Sequence, residues 1–283
     1  MKNKTKKQNL KPKIEIGCQG WNYADWVTKP GGETVFYPRG TKTNEMLQIY
    51  AGAFETIEVD STFYAIPAVS ALENWYKRTP AKFTFALKLP REITHSHHLR
   101  EGGFKALDEF CERVLMLREK LGPILIQLPP QFDASEENVR ALLEFLPRLP
   151  GTIRFAIEFR SRDWLKGETL EVLKKYNVAF CLTDASWIPR GAIFEVAKTQ
   201  TADFAYVRFM GERDLTRFDA VQRPQNANLE LWREVLAEIT APTFIYFSNF
   251  YEGFAPESAN KLKRIFEQEI VEPEQLEDQP GLF

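Results

Sequence analysis

Residues 56–64 read TIEVDSTFY. The run is rich in Ile, Val, Thr and aromatic residues, the composition of a pleated, half-buried segment. Side chains alternate across a strand, so Glu58, Asp60 and Thr62 share one side and Ile57, Val59 and Ser61 the other. A strand face with two carboxylates either meets water or lines a site that uses charge. The choice depends on what the other strands place beside it.

Seven further runs share this character, giving eight expected strands: 13–18, 56–61, 82–88, 123–128, 153–159, 178–182, 203–209 and 243–249. Helical spacing falls between them, at 43–54, 69–78, 104–121, 136–146, 167–176, 228–240 and 256–270, with a short helix expected near 192–199. Strands alternating with helices predict an α/β protein, a single-domain TIM-type (β/α)8 barrel, with a doubly wound open sheet as the competing architecture. Loop lengths favour the barrel. Helix-to-strand links are short (TPA, GP, PG, YN, AP), whereas the strand-to-helix links 19–42, 89–103 and 210–227 are long. The long loops therefore gather at the C-terminal ends of the strands, where barrel enzymes carry their sites. The barrel is expected over 13–270, between a flexible basic arm at 1–12 and a flexible acidic tail at 271–283.

Composition narrows the function classes. Hydrophobic residues at 44% and charged residues at 27% describe a globular chain with ample core. A net charge of −2 gives no global pull toward nucleic acid or an anionic membrane. No apolar run is long enough to span a bilayer, and the N-terminus lacks a signal-peptide apolar segment. Cys18, Cys111 and Cys181 are dispersed and odd in number, which suits a reducing, cytoplasmic setting. No Gly-rich nucleotide-cofactor loop is present, and Gly102–Gly103 reads more simply as a helix start than as an anion cradle.

The alternation in the other strands answers the opening question. Thr84, Ala86 and Lys88, and likewise Arg154, Ala156, Glu158 and Arg160, oppose bulky apolar neighbours. The bulky set suits the helices; the small and polar set suits the barrel axis. Closure then brings Glu58, Asp60, Lys88, Gln127, Glu158, Arg160, Arg208 and Asn249 to one mouth, where unpaired ions must pair or meet a ligand. A structural ion-pair network is the alternative to a reactive pocket.

At this point the chain resembles the domain-of-unknown-function 72, or YecE-like, family. The resemblance is carried by IGCQGWNYADW (16–26), FYP (36–38), EVDSTFY (58–64), FTFALKLPREITH (83–95), QLPPQF (127–132), EFRSRDW (158–164), YVRFMG (206–211) and YFSN (246–249). It implies a TIM-like barrel and no established reaction. Matching positions are Gly20, Trp21, Tyr23, Trp26, Glu58, Thr62, Phe63, Tyr64, Lys88, His95, Gln127, Pro129, Glu158, Arg160, Trp164, Arg208, Gly211 and Asn249. The resemblance leads one to expect His before Gly211; this chain has Met210.

Two carboxylates in unlike environments can serve as general acid and base, which makes Glu58 and Glu158 the expected catalytic pair, with Lys88 as a charge stabiliser or, less simply, an imine-forming lysine. Tyr64, Gln127, Arg160, Arg208, Asn249, His95, Trp21 and Tyr23 are the expected substrate contacts. The expected chemistry is isomerisation, elimination or hydrolysis of a small hydroxylated or anionic molecule. Glu58, Glu158 and Asp184 could offer oxygen ligands to Mg²⁺ or Mn²⁺, while three clustered histidines, His95, His97 and His98, do not suit a zinc site. Aromatics of the first long loop (Trp21, Tyr23, Trp26, Phe36, Tyr37) either stack on substrate or anchor the loop. The ending QPGLF resembles a sliding-clamp-binding peptide through Gln279, Leu282 and Phe283, which would draw the function toward DNA metabolism. A non-catalytic ligand- or partner-binding barrel is the third reading.

Overall fold

The structure, a computed structural model, describes residues 12–277. Its eight strands are β1 (Ile14–Gln19), β2 (Thr56–Val59), β3 (Thr84–Lys88), β4 (Leu121–Gln127), β5 (Phe155–Glu158), β6 (Val178–Asp184), β7 (Ala205–Phe209) and β8 (Thr243–Phe247). They pair in chain order, all parallel, and β8 pairs with β1 to close the barrel. The open-sheet alternative is thereby excluded. The strands are followed in turn by α1 (Met46–Ala53), α2 (Val69–Lys77), α3 (Phe104–Val114), α4 (Glu136–Phe145), α5 (Gly167–Lys175), α6 (Arg190–Ala197), α7 (Asn226–Ala237), and the chain ends through α8 (Asn249–Glu252), α9 (Ala255–Ile265) and α10 (Pro273–Glu277).

Two cores follow from the alternation. Ile57, Val59, Phe85, Leu87, Ile124, Ile126 and Ile157 pack outward in one buried cluster with the helices. Ala86, Leu125, Ala156, Ala179, Cys181, Tyr206, Phe244 and Tyr246 belong to a separate buried cluster that fills the barrel. Small residues on β3, β5 and β6 make room for the tyrosines of β7 and β8, whose rings lie 5.3 Å apart. That complementarity closes the lumen by packing, as small barrels require.

Several element ends differ from the sequence expectation, each for a local reason. The third helix stops at Val114 and passes into a 3-10 segment broken at Arg118, whose φ is 51°. There Lys120 turns inward and donates to the carbonyls of Tyr76 and Thr79, closing the end of α2. The last strand ends at Phe247, so Ser248 and Asn249 do not extend it; Ser248 instead caps α8 by accepting from the Phe250 amide. Residues 273–277, read as part of a flexible tail, form α10, and Leu276 is buried. Gln279, Leu282 and Phe283, on which the sliding-clamp reading rests, lie outside the described residues, as does nearly all of the basic arm.

Candidate functional site

The C-terminal half of the lumen is polar. Glu58 from β2, Glu158 from β5 and Arg208 from β7 meet there at 0%, 0% and 1% exposure. Arg208 donates through Nε and Nη2 to Glu58 Oε2 and Oε1 at 3.0 and 2.7 Å, and through Nη1 to Glu158 Oε2. The Tyr206 hydroxyl donates to Glu58 Oε2 at 2.7 Å, and Arg160 Nε to Glu158 Oε1 at 3.0 Å. Every oxygen of the two carboxylates is therefore taken. The two carboxylates expected to act as acid and base are thus joint partners of one guanidinium, the pairing weighed above as the alternative.

The two acids nevertheless differ. Burial pushes Glu158 up, but Arg208 and Arg160 together outweigh it and hold the carboxyl at about 2. Glu58 has only one guanidinium, and burial raises it against the pull of Arg208.

Above this floor the chain delivers groups that reach solvent. The strand β2 gives way at Asp60 to a 3-10 turn, Ser61–Phe63. Thr62 Oγ1 fixes the turn to the end of β3, donating to Lys88 O at 2.8 Å and accepting from Lys88 N at 3.0 Å. Lys88 Nζ consequently stands 3.2 Å from Asp60 Oδ1 and 4.7 Å from the centre of the Phe63 ring. His95 packs against the same ring, edge to face at 5.0 Å. His95 belongs to a π-helical segment, Glu92–Ser96, followed by His98 and Leu99 at φ 47° and 63°. Such irregular helix and left-handed non-glycine residues are held at a cost and cluster at functional sites. Thr94 Oγ1 lies 2.9 Å from His95 Nδ1. Partial burial, then Arg160, Lys88, Arg91 and His98, depress the imidazole to about 4.

Gln127 and Gln19 complete the ring from β4 and β1; both are buried. Gln19 Nε2 donates to Met210 Sδ at 3.1 Å, so the position where a histidine is expected does lie at the mouth, with a thioether as acceptor. Tyr23 covers this side, donating to Gln19 O at 3.0 Å, and its phenol is pushed well above the ordinary range, first by burial and then by Asp60 and other neighbours.

Tyr64 is 73% exposed, and its ring meets Phe63, the ring that Lys88 and His95 touch, edge to face at 5.4 Å. Other expected contacts lie elsewhere. The Trp21 ring packs edge-on against Trp75 of α2 at 5.8 Å. Asn249 is buried and accepts through Oδ1 from Trp26 Nε1 at 3.2 Å and from the Ala255 amide at 3.0 Å, so it locks the first loop and starts α9. Trp26, Phe36 and Tyr37 are buried and pack edge to face, anchoring that loop. Gly102 is needed for close approach to the His97 ring, which a Cβ would overlap. Asp184 faces α7, taking Trp232 Nε1 at 2.8 Å and Asn228 Nδ2, and lines a separate cavity of about 470 Å³. It therefore joins neither carboxylate of the barrel floor. Among the described residues no three His, Cys, Asp or Glu side chains are grouped to hold a metal, and no helix is long and apolar enough to cross a membrane.

The floor, the Lys88–Asp60 pair and the His95 segment all lie within one matched stretch of the chain. A protein-family model described as "Protein of unknown function DUF72" matches residues 15–281. The chain is 27% identical to the UPF0759 protein YunF of Bacillus subtilis over 290 residues, covering 93% of this chain and 99% of that one. It is 31% identical to the UPF0759 protein YecE of Escherichia coli K12 over 163 residues, covering 57% and 54%. A crystal structure of a DUF72 family protein from Thermotoga maritima superposes with a TM-score of 0.73 at 25% identity, covering 90% of this chain and all of that one. The closed barrel and the family match together place this chain in the DUF72 family, to which it belongs.

Proposed function

We propose that the chain is a cytoplasmic barrel enzyme that performs acid–base chemistry on a small anionic or hydroxylated substrate at the C-terminal mouth. The observation that carries this reading is the His95 imidazole, partly exposed beside two cations and depressed to about 4. At neutral pH it is uncharged. Nδ1 is engaged by Thr94, which leaves the other ring nitrogen to accept or share a proton.

The imidazole is depressed first by partial burial and then by neighbouring cations. An anion bound at Lys88 and Arg160 would offset the second contribution, so His95 would gain basicity when substrate is present. Lys88 and Arg160 would also stabilise charge that develops on the substrate. Gln127 supplies a neutral contact. Glu58 and Glu158 act through Arg208 and Arg160, as positioning residues, because their oxygens are already occupied. A Schiff-base role for Lys88 is disfavoured because its Nζ is already paired with Asp60 at 3.2 Å.

The test is turnover. The purified chain is incubated with sugars, sugar phosphates and hydroxy acids, and product is followed by NMR. Any conversion should fall by about 100-fold or more in His95→Gln with the fold retained, the usual scale for a lost general acid–base group. Unchanged turnover in that variant would remove His95 from the chemistry.

A further inference from the structure

We propose that Arg160 and Trp187 form an oxyanion-binding subsite at the rim of the mouth, in which the Trp187 indole N–H selects a carboxylate or phosphoryl oxygen. The inference rests on the mouth reading above and names the group of the substrate that is held. Trp187 lies in the connection between β6 and α6 and has no part in the sequence expectations.

Buried indole N–H groups elsewhere in the chain have acceptors. Trp26 Nε1 donates to Asn249 Oδ1 at 3.2 Å, Trp164 Nε1 to Phe132 O at 2.7 Å and Trp232 Nε1 to Asp184 Oδ2 at 2.8 Å. Trp187 Nε1 is buried with no protein acceptor. The Arg160 guanidinium lies over the same indole, 4.9 Å from the ring centre, and its Nη2 is likewise buried without an acceptor. Two orphaned donors on one stacked pair of side chains are unusual, since buried N–H groups are nearly always partnered.

The chemistry of the missing partner follows from what surrounds it. The nearby carboxylate, Glu158, has both oxygens committed to Arg160 and Arg208. The subsite therefore offers two donors and a positive charge beside a carboxylate whose oxygens are both taken. An oxyanion would satisfy both orphans, and guanidinium suits planar or tetrahedral oxyanions alike. The platform is held in place. Trp187 O accepts from Arg162 Nε at 3.2 Å, and Ile188 is buried beneath it. The depressed imidazole of His95, which has Arg160 among its causes, reports the same positive potential.

The experiment is a titration of the full-length, ¹⁵N-labelled chain with inorganic phosphate and, separately, with acetate. The chain has six tryptophans, and the Trp187 indole resonance is identified by its loss in Trp187→Phe. The expected result is a saturable shift of that resonance, with the dissociation constant raised about tenfold in Trp187→Phe, which keeps the ring and removes one hydrogen bond to a charged acceptor. Arg160→Gln should weaken binding at least as much. Response to phosphate alone identifies a phosphoryl group as the natural source; response to acetate alone identifies a carboxylate. Binding that leaves the Trp187 resonance unmoved, with affinity unchanged in Trp187→Phe, overturns the subsite; if Lys88→Gln weakens that same binding, the mouth reading survives its failure. No response to either anion at millimolar concentration also overturns the subsite, while His95-dependent turnover would still stand on its own assay.

Discussion

Arg208 and Glu58 meet as a fork on a fork: Nε reaches Oε2 at 3.0 Å and Nη2 reaches Oε1 at 2.7 Å, across the barrel from β7 to β2. The same guanidinium turns its remaining nitrogen to Glu158 on β5. One cation thus ties three strands together inside the lumen. Such a triad is sensitive to loss of a single member because the others are left charged and buried.

Arg208→Met should accordingly destabilise the fold by about 3–5 kcal/mol, measured by urea denaturation. The triple replacement Glu58→Gln, Glu158→Gln, Arg208→Met should recover part of that loss, since no charge of the triad then remains in the lumen. A triple variant less stable than Arg208→Met alone would mean that the triad's worth lies in its geometry rather than in mutual neutralisation.

His95 should titrate near 4 in an NMR pH titration of the ring protons. Lys88→Met removes one of the cations that depress it and should move the midpoint upward, toward the ordinary imidazole value. Saturation with a bound anion should act in the same direction. A midpoint near 6.5 in the wild-type chain would contradict the electrostatics of the mouth.

Stability should fall with acid in two windows. His95 binds its proton more weakly in the folded state, so the unfolded chain takes up more protons between pH 6.5 and about 4; the stability present above 6.5 is lost across that range. Glu158, depressed from 4.5 to about 2, contributes stability present above 4.5 and lost as the pH falls toward 2. Glu58, raised above 4.5, binds its proton more tightly in the folded state, so it offsets part of the loss above pH 4.5, in the upper window, and leaves the lower one to Glu158. Chemical denaturation as a function of pH should show His95→Gln flattening the upper window and leaving the lower one in place.

Gly211 follows Met210 at the end of β7 with φ +67°, and a Cβ there would overlap the Phe250 carbonyl. Gly211→Ala meets both the left-handed backbone and a backbone atom that cannot step aside. A loss of roughly 2–3 kcal/mol or more is expected, on the scale of such strain. Thermal melts would show it as a drop of several degrees for a chain of this size. A neutral Gly211→Ala would imply that the loop after β7 can shift bodily.

The barrel was legible in the chain because alternation and loop length are local properties. Ile57 against Glu58, or Phe155 against Ala156, records which face meets the helices without reference to any partner. The short helix-to-strand links and long returns likewise identify which end carries the site. Local sequence also placed Lys88, Gln127, Glu158, Arg160 and Arg208 near one another, since each sits at the same end of an inward-facing strand. It could not tell which of them remain open to solvent. That depends on pair distances across the lumen: Arg208 reaches both Glu58 and Glu158 and closes them off, while Lys88 and Arg160 keep donors free at the mouth. Asn249 and Asp184 illustrate the same limit. Alternation from the inward-facing Cys181 and Tyr246 turns Asp184 outward toward α7 and Asn249 away from the lumen under the first loop, and only the strand register makes that parity plain. Trp187 carries no sequence signal, being one aromatic in an ordinary connection. Its importance arises from the lack of an acceptor, which only the packed structure decides, because a hydrogen bond is a relation between groups that the chain brings together from afar.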